Sequence, residues 1–267
     1  MTAAHITPAR RVMRARTRLV LSRPLLGSIA LRLELVADPS VPTMAVDGRS
    51  LFYSESFVDT LTEGEILGVL AHEVLHVALE HPWRRDTRDP ERWNAACDHA
   101  INPLVIADGL TLPEGGLSVP TAQYPGLSAE AIYRRLDDAD DNGDGDDGDE
   151  TGGDGAPACG MGEVRDYPGT PAQAAAAQAE LRAGVQAAAQ QARQAGQLSG
   201  DLAAALAETQ RPRVDWRAVL RRFVQQCADR SDYRWTLPNG RYTHLGLYLP
   251  QLHGEQTAPL AVAIDTS

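Results

Sequence analysis

An α+β fold is predicted by three observations. Two short β-prone runs, Thr43 to Val46 and Ser50 to Ser54, flank Asp47-Gly48, a pair suited to a hairpin turn. From Thr62 to Leu79 apolar residues recur at helical spacing around His72-Glu73-Val74-Leu75-His76. The acid-rich stretch 137–158 has almost nothing apolar and separates these elements from a second, helix-prone half. The expected architecture is a small, mostly antiparallel sheet packed on the histidine-bearing helix and on the helix after it.

The first predicted element is an amphipathic helix from Pro8 to Ser22. It is rich in arginine and acid-free, a pattern shared with transit peptides and membrane-surface helices. Ile29, Leu31, Leu33 and Leu35 alternate with Ala30, Arg32 and Glu34, which predicts a strand with one buried face. The hairpin strands follow. Thr62 with Glu65 forms a capping-box pattern at the start of the next helix, and Pro82 is expected to close it. Apolar residues cover most of that helix's circumference, so it should be buried. A second helix, about Glu91 to Ile106, is expected to fold back on the first. Leu110 to Leu127 reads as loop, with Ser128 capping a short helix through Leu136. Beyond the acidic run, Pro171 to Gln197 predicts a long Ala- and Gln-rich helix. Trp216 to Cys227 predicts another, capped by Asp215, and Leu260 to Ile264 reads as a buried strand.

Composition narrows the function. The net charge is −11, but Asp137 to Glu150 with Asp154 supply ten of the 36 acids and no base, so the remainder is nearly neutral. That gives no support for nucleic-acid binding. All 25 basic residues are arginine. Cys97, Cys159 and Cys227 fit neither a disulfide framework nor a thiolate metal site, which points to a reducing, cytoplasmic compartment. No run of 18 apolar residues exists, so no membrane span is expected. Asp140, Asn142, Asp144 and Gly145 imitate the opening of an EF-hand loop, but its twelfth position is Thr151, and the stretch reads as a solvated linker.

The chemistry concentrates in H-E-x-x-H. Residues four apart share a helix face, so His72 and His76 can converge on one metal ion while Glu73 reaches a water on it. Zinc accepts neutral imidazoles and needs a third protein ligand, leaving a fourth position for water that the metal acidifies and Glu73 deprotonates. His81, Asp98 and His99 are the candidates for that ligand. His81 is rotated away from the shared face and is expected to end the helix as a cationic imidazole on its C-terminal dipole. A metzincin would have Gly at position 79 and His at position 82, where this chain has Leu79 and Pro82. Asp98 is favoured, because Asn94, Asp98 and Asn102 form a polar stripe along one face of the next helix. Asn102 would support the ligands, and His99 would support them, stabilise a tetrahedral intermediate or lie at the surface.

These residues resemble a bacterial family with an N-terminal metallopeptidase domain and a C-terminal von Willebrand factor A-like (VWA-like) domain. The matching stretches are Thr43-Met-Ala-Val-Asp-Gly48, Leu70-Ala-His-Glu-Val-Leu-His-Val-Ala-Leu-Glu-His81 and Trp93-Asn-Ala-Ala-Cys-Asp-His-Ala-Ile-Asn102. Val214-Asp-Trp-Arg217, Tyr248-Leu-Pro250 and Val262-Ala-Ile-Asp-Thr-Ser267 also fit. The resemblance implies a minimal gluzincin-like zinc peptidase acting on protein or peptide, with His72, His76 and Asp98 on the metal and Glu73 as general base. In true gluzincins the third ligand is Glu, followed four residues later by Asp; here those positions are Asp98 and Asn102. The resemblance also implies that Ser50 to Ser54 offers a strand edge to an extended substrate. Asp265 and Ser267 look like the start of the D-x-S-x-S loop that binds Mg²⁺ in VWA domains, so the chain is expected to be a truncated piece. A MoxR-type AAA ATPase is the partner implied by analogy. The expected organisation is 1–136 peptidase domain, 137–158 disordered linker, 159–257 helical connection and 258–267 start of the VWA-like domain. The competing reading is a metal-stabilised, non-catalytic VWA-type interaction module.

Overall fold

The structure, a computed structural model, describes residues 6–114, 124–141, 162–210, 219–223 and 232–253. The chain divides into two compact units, Met1–Arg211 and Pro212–Ser267. Its class is α+β.

Helix α1 spans Pro8–Ser22, as its amphipathic pattern predicts, and buries Val12, Ala15 and Leu19. Pro8 stands at its start, where a missing N–H costs nothing. Arg11 ties α1 down, donating to the Val58 and Leu61 carbonyls at 2.7 and 2.5 Å and to Glu63 at 2.8 Å.

The strand expected over Ile29 to Leu35 is not formed. Helix α2 occupies Pro24–Ala30, and strand β1 starts only at Glu34 and ends at Ala37. The buried residues here are Leu25, Leu26, Ile29, Ala30 and Leu33, a four-residue spacing that alternation concealed, while Leu31 is 59% exposed. Strands β2 (Met44–Val46) and β3 (Ser50–Tyr53) form the predicted hairpin. Asp47 Oδ1 accepts the Arg49 and Ser50 N–H groups at 2.8 and 2.6 Å. Gly48, with φ +85°, supplies the left-handed turn, and a Cβ there would lie 2.4 Å from the Trp83 ring.

The sheet is mixed, not mostly antiparallel, with order β1-β3-β2-β4. β1 runs parallel to β3, β2 antiparallel to β3, and β4 (Gly162–Val164) parallel to β2. β4 enters from beyond the acidic run, and a parallel neighbour becomes possible because that long connection returns the chain in the same direction. β3 is thus an interior strand, and the edge expected at Ser50 to Ser54 is not free.

Helix α3 (Glu55–Thr60) leads into α4 (Glu63–Ala78). The capping box is present: Thr62 Oγ1 accepts the Glu65 N–H at 3.3 Å, and the Thr62 N–H donates to Glu65 at 2.7 Å. Every residue from Ile66 to Ala78 is buried. α4 ends before Pro82, through Glu80 in the left-handed conformation (φ 61°). Such a position favours glycine. Glu80 is kept there by its buried carboxylate, which receives Arg182 and Gln178, each at 2.6 Å.

The short helix α5 (His81–Arg84) precedes α6 (Pro90–Ala107), which Asp89 caps by accepting the Arg92 N–H at 2.9 Å. Helix α7 runs Ala129–Asp141, a turn beyond the expected Leu136. α8 (Pro171–Gln194) opens with a second capping box, Thr170 with Gln173, and α9 (Gly200–Thr209) follows. Leu181, Val185 and Leu202 from these helices enter the same core as α1, α2 and α4.

The second unit contains β5 (Asp232–Pro238) paired antiparallel with β6 (Pro250–His253), joined through a 3₁₀ turn at Thr243–Leu245. Residues 219–223 are helical, within the helix expected from Trp216. The expected strand Leu260 to Ile264, with Asp265 and Ser267, lies outside the described residues, as does the acidic run beyond Asp141. Among the described residues no helix is long and apolar enough to cross a membrane.

Candidate metal centre

Two helices build the centre. α4 presents His72, Glu73 and His76, and α6 crosses it with the stripe Asn94, Asp98 and Asn102. His72, Glu73, His76 and Asp98 have no exposed surface, and Asn102 is also buried.

Three atoms converge. His72 Nε2 and His76 Nε2 are 2.8 Å apart, and Asp98 Oδ1 lies 3.1 and 3.0 Å from them. A zinc-sized tetrahedral cation with bonds of about 2.0–2.1 Å spaces its ligands by roughly 3.3 Å, so this triangle needs to open by only about half an ångström. Two imidazoles and a carboxylate this close, in a site without water access, call for positive charge at their centre. The residues therefore fit a bound cation.

Electrostatics separates the members. Burial works against the charge of Asp98, but hydrogen bonds and charge from His72 and His76 outweigh it and hold the carboxyl below its usual range. Burial likewise opposes a charged His72, yet Asp98 and Glu73 push its pKa up. His76 goes the other way, to about 4, through burial and the neighbouring His72. Glu73 is raised to about 8, chiefly by burial.

The atoms around the triangle complete it. His72 Nδ1, both Glu73 oxygens, Asp98 Oδ2 and the Asn102 carboxamide are buried without a hydrogen-bond partner among the described residues. Such atoms in one cluster mark a polar site rather than a core. Asn102 lies beside His72 and favours its charged form. His99 stands outside the triangle, half-buried, its ring edge-on to Tyr124 at 5.2 Å.

His81 does not take the role of a cationic cap. It is buried, and burial followed by the nearby His76 and Arg84 drives its pKa well below 6.5, so the ring is neutral. Its Nδ1 sits 3.1 Å from His76 Nδ1. That contact lets His76 donate Nδ1–H to His81 and keep the Nε2 lone pair for the triangle. His76, His81 and Cys97 form a second possible donor group, in which burial pushes the Cys97 thiol well above its ordinary pKa. The triangle of His72, His76 and Asp98 is the set that brings a carboxylate to two imidazole nitrogens, with all three donor atoms within 3.1 Å of one another.

Sequence reasoning missed the His81 contact, because the chain turns at Glu80 and helical rotation no longer applies beyond it. It also missed the use of Asn94, whose carboxamide grips β4: Nδ2 donates to the Gly162 carbonyl at 2.7 Å, and Oδ1 accepts the Val164 N–H at 2.9 Å.

A family model described as "Putative metallopeptidase domain" matches residues 7–253. The chain belongs to this family. The metallopeptidase-domain match takes in both helices of the centre and all four strands of the sheet. No curated protein and no solved structure matches the chain.

Proposed function

We propose that the protein is a zinc-dependent peptidase, with His72 Nε2, His76 Nε2 and Asp98 as metal ligands and Glu73 as general base. The observation that carries this reading is the convergence of three donor atoms beside a buried carboxylate whose pKa is raised to about 8. Zinc, when bound, supplies Lewis acidity that acidifies a water and polarises a peptide carbonyl. Glu73 takes the proton from the attacking water and delivers it to the departing amide nitrogen. His81 holds His76 in the tautomer that leaves Nε2 free, and Asn102, beside His72, favours that ring's charged form.

The test compares wild type with Glu73→Gln on unfolded protein substrates at equal zinc content. Cleavage by wild type and a loss of about 10²–10⁴-fold in the variant supports the peptidase. No turnover by either sinks it.

The full burial of the four central side chains favours a second reading, in which the metal is structural. In that reading the chain is part of a VWA-type interaction module working with a MoxR-type AAA ATPase and hydrolyses nothing. Retained fold and zinc content without turnover, with the ATPase present, is its expected result.

A further inference from the structure

The peptidase reading requires a groove in which a peptide reaches Glu73, and in this structure that place is filled by the chain itself. We propose that β4 is an internal stand-in for substrate, and that the outer edge of β2 with the Asn94 carboxamide is the site that recognises an extended peptide backbone.

The placement of β4 supports this. Met44, Ala45 and Val46 pair with Gly162, Glu163 and Val164, and the Arg165 N–H continues the ladder to the Val46 carbonyl at 2.8 Å. On its other side β4 has no further strand among the described residues. Asn94 serves there instead, giving one donor to the Gly162 carbonyl and one acceptor to the Val164 N–H. Both sides of the segment are therefore held through main-chain groups, which any extended peptide offers and which read little of its side chains.

The contact with the centre is equally specific. A Cβ on Gly162 would lie 1.9 Å from Glu73 Oε1. Only glycine brings the backbone flat against that carboxylate, and with the strand there Glu73 has no exposed surface. The Gly162 carbonyl is turned to Asn94, so the bond after Gly162 is gripped without being offered for cleavage.

The segment after β4 is anchored away from the metal ligands. Arg85 pairs with Asp166, the Tyr167 ring stacks on Trp83 at 5.3 Å, and the Tyr167 N–H donates to the Pro82 carbonyl at 3.3 Å. Three paired residues and one carboxamide are a short hold, of the kind that opens locally while the core stays folded. Opening would uncover the β2 edge, Asn94 and Glu73 together.

The proposal takes the class of ligand, an extended peptide, from the peptidase reading, but the closure stands apart from it. The test therefore has two readouts. One is the rate at which a chelator strips zinc from loaded protein, and the other is cleavage of an unfolded protein. Ala45 and Glu163 are register partners, so A45C/E163C in a Cys159→Ser background lets a disulfide lock β4 onto β2. Gly162→Val drives a side chain into Glu73 and expels the strand.

Zinc loss is expected to be at least tenfold slower in the locked protein than after reduction, and at least tenfold faster in Gly162→Val than in wild type. Amide exchange at Val164 in the metal-free protein should rise in Gly162→Val as well. Equal zinc loss in locked and reduced protein overturns the proposal, and this arm holds even if Gly162→Val fails to fold. If zinc loss responds to the lock and nothing is ever cleaved, the closure stands and the peptidase reading fails. If cleavage depends on Glu73 and is indifferent to the lock, the peptidase stands and the closure fails.

Discussion

The helix pair α4–α6 and the strand β4 meet at Glu73, yet they are held in opposite ways. α4 is capped, apolar on nearly every side and buried from Ile66 to Ala78, so its position is over-determined by a large core. β4 is three residues long and is held by one strand edge, one asparagine and the short anchor that follows it at Asp166 and Tyr167. The donor atoms thus sit on a helix pair packed into the core, and their cover sits on a strand held by few bonds. Rigidity serves ligand geometry, which tolerates displacements of only about half an ångström, whereas access requires a part that yields.

The largest effect expected on the rigid side is loss of metal. Asp98→Ala and His76→Ala should each abolish zinc retention after dialysis, measured by elemental analysis, with the fold retained by circular dichroism. Asp98→Ala binding zinc like wild type would remove Asp98 from the ligand set. His81→Ala should weaken zinc affinity by roughly tenfold, the usual scale for a partner that orients a ligand. An unchanged affinity would leave the 3.1 Å contact with His76 without consequence.

A pH comparison probes the same region without metal. Glu73 has a folded pKa of about 8 against an ordinary value of 4.5, so stability gained by burying its neutral form is complete below pH 4.5 and lost as pH rises through 8. Metal-free Glu73→Gln should therefore gain on metal-free wild type between pH 5 and 9, by about 5 °C or more in Tm. The depressed His76 and His81 act in the other direction, losing stability as pH falls below 6.5, but they are common to both proteins and cancel in the difference. A constant gap across this range would mean that Glu73 is ionised in the folded state throughout.

On the yielding side, Asn94→Ala should leave zinc content near wild type while quickening amide exchange at Val164. Loss of zinc instead would show that the grip on β4 and the ligand triangle are one unit. The smallest effect is expected at Glu80→Ala, about 1–2 kcal/mol in a denaturant melt, because the partner Arg182 is 47% exposed and its charge is screened.

How much of this was legible in the sequence follows the same division. α1, the Asp47-Gly48 hairpin and the Thr62 capping box depend on residues within a few positions of one another, and each formed as its spacing predicts. The stripe Asn94, Asp98, Asn102 stood out because a buried face rarely carries three polar groups, and all three face the centre or its cover. Alternation misled at Ile29 to Leu35, where four-residue spacing on the burial side competes with period two over so short a stretch. β4 had no local signal, since Gly162-Glu163-Val164 is too short for periodicity and its partner strand lies more than a hundred residues earlier. His81 was misjudged as charged because neither its burial nor the turn at Glu80 is written in its neighbours.

The connection from Asp141 to Gly162 is twenty residues long, and both its ends belong to the same compact unit. β4 is tethered on both sides, by that connection and by the anchor at Asp166 and Tyr167 just beyond it, so it returns to its groove at an effective concentration on the order of millimolar or above. Any peptide entering the groove competes with that figure, so its apparent affinity is set by the tether as much as by its own contacts. Loosening the anchor, as in Tyr167→Ala, should make the protein a better binder of peptides without touching a single residue that binds them.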